Sequence, residues 1–344
     1  MQGAIVQIHA QLTRIGVGRR GLTAAVLLLA VLLVAVATPQ LLGRRVVEAL
    51  GTLHSADAKY LWLAGIGFVV SVLASAASWR CAIGICGGRL GLTDACARYG
   101  AGSLVNTFVP ARAGDFLRIA LFSRALPNEG RLWTMGGAFA ALGAARALVL
   151  GAVVTGGALA GVIPAWPLLI AAGLAAAGVV AALVARKTPT HLLDAFRELG
   201  RDRTAAARLV SWIAISTGGR LTAATAVCAA LGIPQPVGAA IVILLALDVA
   251  SLIPITPGNI GVTSAAIAAA LQAHGVSFND GLAAGIAFHA IETAVGIMFG
   301  VASLLWLAPY PSPNARRVAL LAGAGSWALG IASAFSATVL VPLV

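Results

Sequence analysis

The sequence predicts an all-α polytopic membrane protein with about seven full transmembrane helices and two re-entrant helical hairpins, inserted from opposite faces as an inverted repeat. Three observations carry that prediction. Apolar residues fill 60% of the 344 positions, charged residues only 10%, and mean hydropathy is +0.97, outside the range of soluble globular chains. Apolar runs recur along the chain, each long enough to cross a hydrocarbon core of about 30 Å. Two further segments break at one spacing: Pro110 stands four residues before Gly114-Asp115, as Pro254 does before Gly258-Asn259. The longest polar interval, 186–208, is too short to bury a core of its own, so 1–344 reads as a single integral membrane domain.

Taken in order, residues 1–20 are a cytoplasmic amphipathic N-terminus ending in Arg14, Arg19 and Arg20. Leu22 to Leu42 is a retained first span and not a cleaved signal, because it can cross the membrane and no small-residue cleavage site precedes a soluble domain. A polar connection with Glu48, His54 and Asp57 leads to a second span, Tyr60 to Ile85. The first hairpin occupies 92–126. Its descending arm, Leu92 to Val109, carries Asp94 and Arg98 and is too polar to face lipid; Asp115 to Leu126 returns. Spans follow at Leu132 to Leu159, Trp166 to Ala185 and Val210 to Leu231. The cytoplasmic amphipathic linker 186–208 sets Leu192, Leu193, Phe196 and Leu199 against Arg197, Arg201 and Arg203, a pattern for a helix on an anionic membrane surface or a solvated linker. The second hairpin is 237–273, and the last spans are Leu282 to Leu307 and Val318 to Leu343.

Loop charge orients this scheme. With the N-terminus inside, the inner side collects Arg14, Arg19, Arg20, Arg89, Arg124, Arg131, Arg186, Lys187, Arg197, Arg201, Arg203, Arg208, Arg316 and Arg317, against Arg44, Arg45 and Lys59 outside. The expected location is the cell (inner or plasma) membrane, with the C-terminus extracytoplasmic.

The candidate site begins at the first break. Pro110 lacks an N–H and Gly114 loosens the backbone, so a helix entering there stops and restarts. Arg112, Asp115 and Arg118 then recur every three residues, at a helix N-terminus that favours anions, with guanidinium groups that match phosphate or carboxylate oxygens. A basic juxtamembrane loop would account for the arginines alone. Asn106 precedes this break; Pro254, Pro257, Gly258 and Asn259 form the second. Deep within spans lie Arg146, Arg220, Asp248, His289 and Glu292, each a functional candidate because buried charge is costly unless paired or facing water. Pairing that merely holds helices together is the alternative for every one of them. Four of these arginines (112, 118, 146, 220) face three acids (115, 248, 292), and a surplus cation invites an anionic ligand. His289 and Glu292, three apart, suit either a proton relay or a hydrogen-bonded core histidine.

Other classes are excluded. The net charge of +12 comes from basic residues at predicted membrane edges, which suits topology and lipid head groups and not nucleic acid. Cys81, Cys86, Cys96 and Cys228 have no metal-ligand spacing, and no cofactor is expected. The small residues of 136–161 serve close helix packing.

The runs N-x-x-x-P-A-R-x-G-D-x-x-R at 106–118 and P-x-T-P-G-x-x-G at 254–261 resemble the lysylphosphatidylglycerol synthase transmembrane region, a flippase-like family, over roughly 20 to 310. The resemblance implies a lipid flippase; the best-known members move aminoacylated phosphatidylglycerol, and others are linked to polyprenyl-phosphate-linked sugars or hopanoids. Two acids common in that family are absent: Ala145 precedes Arg146, and Thr263-Ser264 follow the second glycine motif. That leaves a more positive site, suited to an anionic head group and not to a lysyl-lipid, and no aminoacyl-transferase domain is seen. The sequence therefore predicts movement of an anionic lipid or lipid-linked head group between leaflets. A membrane transferase acting on a polyprenyl-phosphate or phospholipid, and a non-catalytic membrane scaffold, are the competing readings.

Overall fold

The computed structural model describes residues 56–109, 112–127, 131–173, 202–251 and 260–308, with single positions at 176 and 314. Among them no strand occurs. The described residues form, in chain order, the helices α1 (Ala58–Ile85), α2 (Leu92–Phe108), α3 (Ala113–Ser123), α4 (Arg131–Leu159), α5 (Arg203–Ala230), α6 (Pro236–Ala250), α7 (Ile260–Ala273) and α8 (Phe278–Leu307), with a short helical stretch at 166–173. The expected spans at 22–42 and 318–343, most of 166–185, most of the 186–208 linker and the second break lie outside the described residues.

Four helices, α1, α4, α5 and α8, are long and apolar enough to cross a membrane. At 1.5 Å per residue they measure about 42–45 Å, whereas α2, α3, α6 and α7 reach only about 17–26 Å and none crosses alone. The observed bounds follow the expected spans within two residues at α1 and α4, and α8 starts at Phe278, not Leu282; α5 departs most, starting at Arg203, not Val210. Asp202 is the reason. Its carboxylate accepts from the Thr204 hydroxyl and from the backbone N–H of Ala205 and Thr204, and these bonds, the hydroxyl's foremost, hold its pKa below the usual carboxylate range. Residues 203–208 therefore belong to the spanning helix.

Helices α1 and α5 run antiparallel in close contact because small residues let their backbones meet. A Cβ on Gly67 would stand 2.6 Å from the Gly219 carbonyl oxygen, and the reverse holds for Gly219 against Gly67. One turn on, Ser216 links to Ser71 (3.0 Å) and Ser75 (2.8 Å).

Helix α8 is the rail along which the short helices lie. Its first half receives α7, with Gly281 against Ala268 and Gly285 against Ser264; its second half receives α2, with Gly296 near Thr107, Gly300 against Leu104 and Trp306 Nε1 donating to Asp94 at 2.9 Å. The C-terminal end of α2 and the N-terminal end of α7 thus both meet the middle of α8. Helix α3 folds back on α2 and α6 on α7, giving two helical hairpins whose arms point toward opposite ends of α8.

Two apolar cores result. One gathers Phe68, Leu150, Ala223, Val227, Ile243 and Phe288; the other gathers Trp79, Phe122, Met135, Leu142, Leu209 and Ile213. They part at one level. Between Leu142 and Leu150 stands Arg146, between Ile213 and Ala223 stand Thr217 and Arg220, and between Phe68 and Trp79 stand Ser71, Ser75 and Ser78. A polar belt therefore crosses the spanning helices near mid-height.

Candidate functional site

The hairpin formed by α2 and α3 closes through glycine. A Cβ on Gly102 would stand 2.7 Å from the Gly114 carbonyl oxygen, and one on Gly114 would overlap the Gly102 carbonyl. That approach brings Asn106 to the tip, where its Oδ1 accepts from Gly114 N–H (2.7 Å) and its Nδ2 donates to Asp115 (3.1 Å). Arg118 completes the brace. It pairs with the same Asp115 oxygen at 2.6 Å, donates to Ser103 Oγ at 2.6 Å and to the Tyr99 carbonyl at 3.3 Å, and lies over the Tyr99 ring at 4.1 Å. Only 12% of the Arg118 side chain is exposed.

Arg112 differs from Arg118 in every respect. It is the N-cap of α3 in the left-handed region (φ 54°), its side chain is exposed, and it makes no ion pair among the described residues. Asp115 thus braces Arg118 alone and does not orient both arginines. Phe108 and Phe116, 59% and 71% exposed, flank the tip.

The second constellation is the polar belt. Asp248, near the end of α6, accepts Arg146 Nη2 from α4 at 3.1 Å and faces Arg220 Nη1 from α5 at 3.6 Å through the same oxygen. Arg220 Nη2 lies 3.8 Å from Glu292 on α8, whose other oxygen is 3.3 Å from His289 Nδ1; His289 Nε2 meets Thr263 Oγ1 of α7 at 3.1 Å. Five residues from α4, α5, α6 and α8 are thereby joined, and Thr263 ties in the second hairpin. Both pairs held by Arg220 are too long for hydrogen bonds. Its Nε is buried without a hydrogen-bond partner among the described residues. Beside it opens a small pocket lined by Arg146, Leu150, Thr217, Arg220, Leu244 and Asp248, with room for about one water molecule.

Charge is balanced within the belt, with two arginines against two carboxylates, and within the brace, with one against one. The surplus cation counted from the sequence is Arg112, at the exposed tip.

Of the candidates, Asn106, Gly114, Asp115 and Arg118 form one unit and Arg146, Arg220, Asp248, His289 and Glu292 another. Pro110, Pro254, Pro257, Gly258 and Asn259 lie outside the described residues. Sequence reasoning missed Tyr99, Ser103, Thr217 and Thr263. The first two share a face of α2 with Asn106 at helical spacing, a polar stripe legible in a segment otherwise small and apolar. Ala145 packs beside the Trp79 core, and Ser264 is buried against Gly285.

A profile of the family described as Lysylphosphatidylglycerol synthase TM region matches residues 22–300. A search of curated proteins finds no match.

Proposed function

Since the chain belongs to the Lysylphosphatidylglycerol synthase TM region family, whose name points to membrane lipids, we propose that it moves an anionic lipid or lipid-linked head group between leaflets. The observation that carries the reading is Arg220: a mostly buried guanidinium that makes two long ion pairs and no hydrogen bond among the described residues, beside a pocket it shares with Arg146. A phosphate oxygen entering there supplies the short, charge-assisted bonds that Asp248 and Glu292 do not. Arg112 at the hairpin tip is the first cation such a head group meets, and the Arg118–Asp115 brace keeps the tip in shape. In this reading 92–126 and 237–273 are re-entrant hairpins of an inverted repeat, the arrangement in which transporters hold ligands near the midplane. The pocket is smaller than a head group, so the belt has to widen to admit the ligand. The N-terminus is cytoplasmic and the C-terminus extracytoplasmic, in the cell membrane.

Purified protein in liposomes tests the reading. Fluorescent phosphatidylglycerol should cross at least about tenfold faster than fluorescent phosphatidylcholine, a difference of about 1.4 kcal/mol, and Arg220→Gln should erase the preference. Equal rates that ignore the substitution would favour the transferase or scaffold reading.

A further inference from the structure

We infer that the His289–Glu292 pair takes up one proton for each anionic head group that enters the belt, so that anion binding and protonation are a single coupled event. The inference rests on the proposed anionic-lipid site and adds its coupling ion. Charge accounting is its first support. With His289 neutral, Arg146 and Arg220 balance Asp248 and Glu292 at the mid-height of the spanning helices, so a monoanionic phosphodiester brings the belt to minus one and one proton returns it to zero. Enclosing an unbalanced charge among membrane helices is costly, so the neutral combination is the one that forms.

Geometry selects the seat of that proton. Asp248 holds Arg146 by a 3.1 Å hydrogen bond, whereas the arginine contact of Glu292 among the described residues is the 3.8 Å pair to Arg220, too long for a hydrogen bond. Glu292 also has a receiver for its proton. When His289 carries its proton on Nε2 it donates to Thr263 Oγ1, and Nδ1, 3.3 Å from Glu292 Oε2, accepts from the protonated carboxyl. The other charged groups near the pair are Arg220 from α5, 3.8 Å from Glu292, and, on the far side of Arg220, Asp248 from α6 with its partner Arg146 from α4. Once Glu292 is neutral, Arg220 loses one of its two carboxylates and turns its donors to Asp248 and the arriving phosphate. An anion at Arg220 in turn favours the protonated carboxyl. Each event promotes the other, as linkage requires.

The test uses the full chain in detergent and soluble dihexanoyl phosphatidylglycerol, titrated by calorimetry in two buffers of different ionisation enthalpy between pH 5 and 8. Binding should tighten as pH falls, by up to about tenfold per pH unit, with uptake approaching one proton per lipid. Dihexanoyl phosphatidylcholine should bind more weakly with no proton uptake. Glu292→Gln, fixed in the neutral form, should bind phosphatidylglycerol with pH-independent affinity, tighter than the native protein at pH 8 and without proton uptake. Phosphatidylglycerol binding with no proton uptake in the native protein would overturn the coupling and leave the lipid reading standing, as would equal uptake with phosphatidylcholine. No binding at any pH would overturn both.

Discussion

Arg146 and Arg220, on different spanning helices, converge on one oxygen of Asp248, at 3.1 and 3.6 Å. A single carboxylate therefore contacts two cations between the two apolar cores, and since Arg220 keeps Glu292 as a second partner, its loss should fall mainly on Arg146. Asp248→Asn keeps the shape and removes the charge. With 47% of the Arg146 side chain and 25% of the Asp248 side chain accessible, the loss is smaller than for a fully buried pair, and the detergent-solubilised variant should melt lower by a few degrees. Adding Arg146→Gln should recover part of the loss, since the cation that Asp248 served by a hydrogen bond is then gone. An Asp248→Asn protein as stable as the native one would mean that this carboxylate does not hold the belt.

The two hairpin arginines should separate in their effects. Arg118→Ala removes an ion pair, two hydrogen bonds and a ring contact, and should lower both stability and transport. Arg118→Lys keeps a charge near Asp115 but cannot fork to Ser103 and the Tyr99 carbonyl, so rescue should be partial. Arg112→Ala removes an exposed cation without an ion pair among the described residues and should leave the melting temperature unchanged while lowering the rate for anionic lipid. A fall in stability with Arg112→Ala equal to that of Arg118→Ala would remove the distinction between tip and brace.

The elements legible in the sequence were those written in composition and in broken periodicity. The α1, α4 and α8 spans and the stop at Phe108 followed from apolar length and from Pro110, and the acids within the spans announced their pairing because bare charge has no other home there. What could not be read was which acid serves which arginine. Arg146, Arg220, Asp248 and Glu292 stand on four helices whose azimuths are set by contacts such as Gly67 on Gly219, and small residues look alike in sequence whether they meet a neighbour or face lipid. The start of α5 was misplaced for a local reason: hydropathy marks where the membrane begins, whereas Asp202 marks where the helix begins.

The glycines give a direct check of the α1–α5 contact. Alanine at Gly67 or Gly219 would press on the partner's backbone, which cannot yield as a side-chain end can, and each should cost about 1–3 kcal/mol or more. Their neighbours Gly65 and Gly218 have nothing within 4 Å of an added Cβ, so alanine there should be neutral or slightly stabilising. Thermal melts of the four variants decide it; equal effects at all four would refute the antiparallel contact.

Orientation is open to labelling. With fourteen basic loop residues expected inside and three outside, a cysteine at Arg197 in a cysteine-free background should be shielded from impermeant reagent in intact cells and one at Val344 should react. The opposite pattern would invert the scheme and both hairpin assignments with it.

The meeting of the first hairpin with the middle of α8 can be trapped covalently. A Cβ on Gly296 would lie 3.8 Å from Thr107 Oγ1 with no other close neighbour, so a side chain fits there and faces α2. Cysteines at both positions, with Cys81, Cys86, Cys96 and Cys228 replaced, should form a disulfide under mild oxidant, because a thiol at 107 takes the place of the Thr107 hydroxyl that already faces position 296. A residue ten positions nearer the start of α2 lies beside the end of α8 and should not cross-link to position 296. If the tip must move to admit a head group, the oxidised protein should lose transport of phosphatidylglycerol in liposomes and regain it on reduction, with its fold intact throughout. Efficient cross-linking with unchanged transport would show that the tip is a fixed wall of the pathway, and the ligand would then have to enter from the α6–α7 side.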